Sequence, residues 1–322
     1  MRLAAVVQPQ TDDTLRLLAQ LGVEDWVYYD MAGMPEDPDG LRRERDRAER
    51  FGLRLSVVEG GPRIDRIVLG LDGRDAQIEQ YKRSLEQMGR LGIRTLCYNF
   101  MPQVLDDAMV VRTSTTARER GGALTSSFDV SVLDRDAWTE AGETTDEMMW
   151  DNLEYFLQRV VPVAEAAEVN LAMHPDDPPL SPIWHLSRIM RSREAFDRLF
   201  SIAPSPVNGL TFCQGCFAEL GEDLPGLVRH FGSRIHFVHL RDVAGSPLNF
   251  RETFPDNGPT DMRAVFEAYR EIGYAGMIRS DHVPQLVGEE GANDGYGLRG
   301  NLFAIGYIRG MLEAVFGRDA GS

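Results

Sequence analysis

VNLAMH at 169–174, NGLTFC at 208–213, RIHFVHL at 234–240 and GMIRSD at 276–281 decide the fold. Each is a short apolar run bounded by turn residues, too brief for a buried helix and suited to a strand covered on both faces. Each also ends on, or one residue after, a metal-ligand type: His174, Cys213, His239 and Asp281. Working outward, the same kind of run recurs at 3–7, 25–29, 53–58 and 94–99. Segments of helical period lie at 12–22, 39–52, 74–92, 147–168, 186–200, 222–231, 260–273 and 300–315. Strand followed by helix, repeated in this way, implies parallel pairing, because parallel neighbours need a long crossover connection. The closed solution is an α/β fold of the (β/α)8 TIM-barrel type, a single catalytic domain over 1–322. A doubly wound open sheet is the alternative.

Residues 101–146 break the rhythm as a long loop insertion after the fourth strand, with polar runs such as RTSTTARERGG. An insertion there falls at the C-terminal mouth of a barrel, where substrate-covering loops sit, so it is expected to be a lid. A solvated excursion with no role is the alternative.

The chain has 322 residues, 43% of them apolar, enough for a buried core. Its 34 Lys and Arg against 50 Asp and Glu give a net charge of −16, a field that repels phosphate backbones and anionic lipid. Nucleic acid and membrane are therefore not expected as partners. No run approaches the roughly 18 apolar residues of a span, and the first residues lack a signal-peptide core. Three cysteines, Cys97, Cys213 and Cys216, make no disulfide framework, as suits a reducing compartment; a cytoplasmic homo-oligomer is expected.

Polar residues gather at the ends of the last four strands. Alternation puts Phe237, His239 and Arg241 on one face, Thr211 and Cys213 on one face, and Arg279 and Asp281 on one face. Two imidazoles, a thiolate and a carboxylate at one mouth can hold a divalent cation: softness favours zinc or iron, and a site with a carboxylate and open positions also admits manganese. A lone buried His or Cys is usually a packing residue; four at equivalent strand ends are harder to dismiss. CQGC at 213–216 could be a redox pair or half a zinc site, but the favoured reading makes Cys213 a ligand and Cys216 a bystander. In HPDDPP at 174–179, Asp176 could orient an imidazole, bind a substrate hydroxyl or make a turn. His282 points away from Asp281 in an extended segment and is left for acid–base work. Arg241 and Arg279 could meet a substrate carboxylate or pair with acidic neighbours. The Gly-rich run NDGYGLRG at 293–300 brings Tyr296 toward the mouth.

These residues sit in longer stretches that resemble a known family. SVVEGGPR at 56–63, GIRTLCYNFMP at 92–102, LAMHPDDPP at 171–179, NGLTFC at 208–213, IHFVHLRDV at 235–243, FRETFPDNGPTDM at 250–262 and IRSDH at 278–282 are similar, in collinear order, to the mannonate dehydratases of the xylose-isomerase-like barrel superfamily. The chain departs from the family's pattern at Ser280 and Val283, either side of Asp281 and His282, and at Pro255. The resemblance implies a metal, usually manganese with Fe2+ or Zn2+ as alternatives, held by His174, Cys213, His239 and Asp281, and an acid–base pair of His282 and Tyr296. It implies dehydration of D-mannonate, a small sugar acid, to 2-keto-3-deoxy-D-gluconate in hexuronate breakdown. On that reading Arg241 or Arg279 meets the carboxylate, and Asn99, Asp176, Arg112 and Glu59 meet the rest of the substrate. The rival readings are a sugar isomerase or epimerase on the same barrel, and a non-catalytic sugar-acid binder.

Overall fold

The computed structural model describes residues 1–29, 34–35, 37, 39–102, 110–289 and 295–317. In chain order the elements are β1 (Arg2–Ala5), α1 (Asp12–Gln20), β2 (Asp25–Tyr29), α2 (Gly40–Glu49), β3 (Arg54–Glu59), α3 (Asp65–Val68), α4 (Arg74–Leu91), β4 (Thr95–Tyr98), β5 (Ser114–Arg118), β6 (Leu124–Asp129) and α5 (Asp146–Ala167). They continue with β7 (Asn170–Met173), α6 (Arg193–Ile202), β8 (Asn208–Cys213), α7 (Gln214–Glu219), α8 (Leu224–Phe231), β9 (Ile235–Leu240), β10 (Val243–Ser246), β11 (Asn249–Glu252), α9 (Met262–Glu271), β12 (Met277–Ser280) and α10 (Leu298–Phe316). Strands β1, β2, β3, β4, β7, β8, β9 and β12 close a parallel barrel, so the open-sheet alternative is set aside.

Side-chain parity sorts the barrel into layers. Ala4, Val6, Val27, Val57, Cys97, Ala172, Phe237 and Met277 form one buried cluster, and their odd-step neighbours, such as Val58, Leu96, Leu171, Val238 and Ile278, join the larger core under the helices. Two residues beyond the inner cluster, on the same face, come Tyr29, Glu59, Asn99, His174, His239 and Arg279. The apolar plug thus carries a polar layer at its C-terminal rim. Neighbouring strands set Glu59 beside Tyr29, and Cys213 and Arg279 on either side of His239.

Helix starts follow local chemistry. Thr11, Thr145, Ser192 and Asp261 cap α1, α5, α6 and α9 by accepting from a backbone N–H in the first turn. The helix expected over 186–200 begins at Arg193. The segment before it is rich in proline and tied back on itself, Asp176 Oδ2 accepting from Met190 N at 2.7 Å, and Ser192 supplies the cap.

The insertion after β4 differs from a plain loop. Residues 103–109 of it lie outside the described residues, but β5 and β6 pair as a hairpin, and β6 pairs with β11 of the β10–β11 hairpin. Phe128 stacks on Phe250 at 5.7 Å and both are buried with Val111, Ile183, Leu186 and Val243. A small second core therefore joins the insertion to the segment after β9.

His236, on the outer face of β9, gives a pH-dependent prediction. Burial pushes its imidazole down to about 4, against the raising effect of the Pro206 backbone, and its Nε2 has no hydrogen-bond partner among the described residues. Between an ordinary histidine pKa near 6.5 and that value the unfolded chain binds a proton that the folded chain refuses. Stability is then lost as pH falls through this window, by up to about 3 kcal/mol. Urea midpoints of wild type and His236→Leu, compared at pH near 7 and near 5, are expected to fall less with acid in the variant. Equal falls would remove His236 from the account.

Candidate active site

Four strand ends converge on one point. One donor atom each from His174, Cys213, His239 and Asp281 lies within 4.8 Å of the others, and Cys213, His239 and Asp281 are buried. Cys213 Sγ stands 3.7 Å from Asp281 Oδ2, and His239 Nδ1 stands 3.7 Å from the same oxygen. His174 Nδ1 lies 2.7 Å from the Pro175 carbonyl, which can only accept; Nδ1 therefore carries a proton, and Nε2 is the nitrogen left to serve as a metal donor once it gives up its own. Burial opposes charge on both groups. Even so, contact with Cys213 pushes the His174 imidazole up to about 9, and hydrogen bonds from Cys216, His174 and His239 hold the Cys213 thiol well below its usual range. Burial likewise opposes ionisation of Asp281, and His282, Arg279 and His239 outweigh it. A thiol primed to ionise, two imidazoles and a carboxylate in this space fit a divalent metal by number, charge and ligand type.

Two other groups of metal-ligand types are close together, Glu59 with Cys97 and His239, and Asp177 with Cys216 and Glu219. Both already hold a cation. Arg279 pairs with both oxygens of Glu59, and Arg241 pairs with Asp177 and Glu219 at 2.8 and 2.5 Å.

Above the four donors opens a cleft. His174, Asp281, His282, Tyr296, Arg279, Glu59 and Asn99 line it, together with Asp177, Tyr29 and Met101. Tyr296 donates to Asp281 Oδ1 at 3.1 Å, stacks on Tyr29 at 5.4 Å and meets the His282 ring edge-on at 5.4 Å. Burial and the Asp281 charge hold the Tyr296 phenol well above its usual range, so its proton stays on. His282 Nδ1 stands 3.5 Å from Glu252 Oε1 and 3.4 Å from Arg112 Nη2. Arg279 donates to Asp281 at 3.1 Å as well as to Glu59, whose carboxyl is held down to about 2 by Arg279 and His239 against the effect of burial. Asn99 Oδ1 accepts from Met101 N at 3.2 Å.

Three residues expected at the substrate stand elsewhere. Arg241 is fully buried and does not line the cleft; its guanidinium is taken up by Asp177, Glu219 and Glu252 at 2.5–2.8 Å. Arg112 is bound to both oxygens of Asp177 and to Glu252 at 2.7–2.9 Å and meets the cleft through Asp177 and His282. Asp176 is buried behind the cleft, and burial pushes its carboxyl up to about 6. Its neighbour Asp177 faces the cleft instead. Strand parity predicts the reverse, with Asp176 on the face of His174, but the prolines at 175, 178 and 179 end the extended alternation on which parity depends. Glu252, from the middle of the FRETFP stretch, was not picked out by sequence: it becomes a neighbour of His282 only through the pairing of β11 with β10 and β6. Tyr29 carried a legible signal, an aromatic ring at a strand end beside the mouth. Of the Gly-rich run, residues 293–294 lie outside the described residues.

The sequence matches the family model "UxuA: D-mannonate dehydratase (UxuA)" over residues 37–141 and 135–319. It is 37% identical over 309 residues to a mannonate dehydratase of Oceanobacillus iheyensis, covering 87% of this chain and 86% of that one. It is 34% identical over 312 residues to a mannonate dehydratase of Thermotoga neapolitana, covering 85% of each. The structure superposes on that of mannonate dehydratase from Streptococcus suis serotype 2 with a TM-score of 0.87 and 28% identity, covering 100% of this chain and 97% of that one. A D-psicose 3-epimerase from Clostridium cellulolyticum superposes with a TM-score of 0.64 at 13% identity, a likeness of fold alone.

Proposed function

We propose, since the chain belongs to the D-mannonate dehydratase family and so to the hydro-lyases, that it converts D-mannonate or a closely related aldonate to the 2-keto-3-deoxy acid and water, using one divalent metal. The observation that carries the metal part is the convergence of His174, Cys213, His239 and Asp281 within 4.8 Å beneath a cleft lined by His282 and Tyr296. Manganese is the favoured ion, with iron or zinc as alternatives. An ion there supplies Lewis-acid stabilisation of negative charge on a substrate carboxylate and its neighbouring hydroxyl.

The chemical difficulty is a weakly acidic proton beside a carboxylate and a poor leaving group. An imidazole can hold or release a proton near neutrality, so His282 is assigned removal of the C2 proton. Tyr296, which keeps its proton, is assigned its delivery to the departing C3 hydroxyl, which leaves as water. The resulting enol ketonises at C2, giving the 2-keto-3-deoxy product. Glu59, Asn99 and Asp177 offer polar groups to the substrate hydroxyls, and Arg279 sets the positions of Glu59 and Asp281. Arg112, held by Asp177 and Glu252, braces His282. The insertion, through β5 and β6, is assigned the cover of the mouth. No helix among the described residues is long and apolar enough to cross a membrane, and a cytoplasmic homo-oligomer acting on a sugar acid fits that.

The test is a panel of aldonates incubated with the manganese-loaded protein, followed by assay of α-keto acid. D-Mannonate is expected to give a 2-keto-3-deoxy acid, with none in the presence of a chelator. Ketose or epimer without loss of water would favour the isomerase reading, and binding without turnover the non-catalytic one.

A further inference from the structure

We propose that Cys213 and Cys216 are a dithiol–disulfide pair, closed by hydrogen peroxide or another two-electron oxidant of that class, and that closure takes Cys213 out of the metal site. The motif is CQGC at 213–216, and a proposed ligand alone explains only its first residue. Cys213 is the last residue of β8 and Cys216 lies in the turn of α7 that follows directly. Residues three apart on a helical turn share a face, within the Cα separation that a disulfide accepts. Both thiols are fully buried, and a single guanidinium nitrogen touches both: Arg241 Nη1 stands 3.4 Å from Cys216 Sγ and 4.0 Å from Cys213 Sγ.

The surroundings hold this pair in place. A Cβ on Gly215 would stand 2.5 Å from Arg241 Cδ and 2.7 Å from Arg241 Nε, so the glycine between the cysteines lets the arginine lie against the turn. Asp177 shares Nη1 with the two sulfurs, and Glu219 and Glu252 hold the other guanidinium nitrogens. One guanidinium in contact with both sulfurs fixes the two thiols beside each other. Cys213 is also the one nearer the site, 3.7 Å from the cleft-lining Asp281.

The steps balance. The Cys213 thiolate attacks one peroxide oxygen, the O–O bond breaks, and the second oxygen leaves as hydroxide, which takes a proton to become water. The Cys216 sulfur then attacks the sulfenic sulfur of Cys213, the S–O bond breaks, and its oxygen leaves as water with the Cys216 proton. Two sulfurs lose two electrons and peroxide gains them. A sulfur spent in a disulfide is no longer a thiolate donor, so disulfide and metal exclude each other. That exclusion rests on the ligand set proposed above; the bond itself does not.

Peptide mass analysis under non-reducing conditions tests the pair. Metal-free wild-type protein treated with hydrogen peroxide is expected to yield a peptide holding Cys213 and Cys216 that is about 2 Da lighter and is restored by dithiothreitol. Manganese-loaded protein is expected to be protected, and oxidised protein to bind manganese at least about tenfold more weakly until reduced. Cys216→Ser is expected to give no lighter peptide, and its peroxide damage is expected to resist dithiothreitol. Oxygen added without the 2 Da loss, or both thiols unchanged, overturns the pair. A disulfide that forms while manganese affinity stays constant overturns the exclusion and with it the ligand role of Cys213, and leaves the dehydratase assay unaffected.

Discussion

Cys213→Ser is expected to lower metal affinity at least about 100-fold and to abolish turnover at sub-saturating metal. Loss of a partner that only orients a ligand typically costs 10–100-fold, and loss of a direct ligand costs no less. The serine hydroxyl is not ionised near neutrality and is a harder donor than a thiolate, so it replaces neither the charge nor the softness of the sulfur. Residue 213 is fully buried between Asp281 and Arg241, so the variant keeps its packing but leaves His174, His239 and Asp281 with one position unfilled. Elemental analysis after gel filtration, with circular dichroism to check folding, measures this directly. A folded variant that retains both metal and activity would require a different ligand set.

His282→Ala is expected to lower kcat about 1000-fold, the middle of the range for losing a positioned acid–base group, with metal content unchanged and KM little affected. The separation of the two readouts follows from the geometry. His282 points into the cleft beside Tyr296, while its main chain follows Asp281 and leaves the carboxylate free to bind metal. Exogenous imidazole is expected to restore part of the rate, because removing the ring empties a space beside Tyr296 and Glu252. Near-normal turnover in a metal-replete variant would remove proton transfer from His282.

The barrel and its four donors were legible for one reason. In parallel strands buried on both faces, period-two alternation runs unbroken to the C-terminal end, so Ala172 and His174, Thr211 and Cys213, Phe237 and His239, and Arg279 and Asp281 project to the same side. Sequence lost its grip where that alternation stops. Asp176 and Asp177 exchange the roles parity gives them because prolines surround them. Arg241 obeys parity, yet lies past the end of β9, where carboxylates from three distant segments, at Asp177, Glu219 and Glu252, claim its charge. The β5–β6 hairpin was unreadable because its apolar face is completed by Phe250, more than a hundred residues further along the chain, in a sheet no local pattern announces. Glu252 entered the neighbourhood of His282 by the same pairing. Local periodicity placed the four proposed metal donors; long-range pairing placed the groups around them.

The most direct test of the central claim is an anomalous difference map from crystals of the manganese-loaded protein. The account predicts one peak bonded at once to a nitrogen of His174, the sulfur of Cys213, a nitrogen of His239 and an oxygen of Asp281, with the cleft of His282 and Tyr296 opening onto it. A peak elsewhere, or none at full manganese loading, contradicts it.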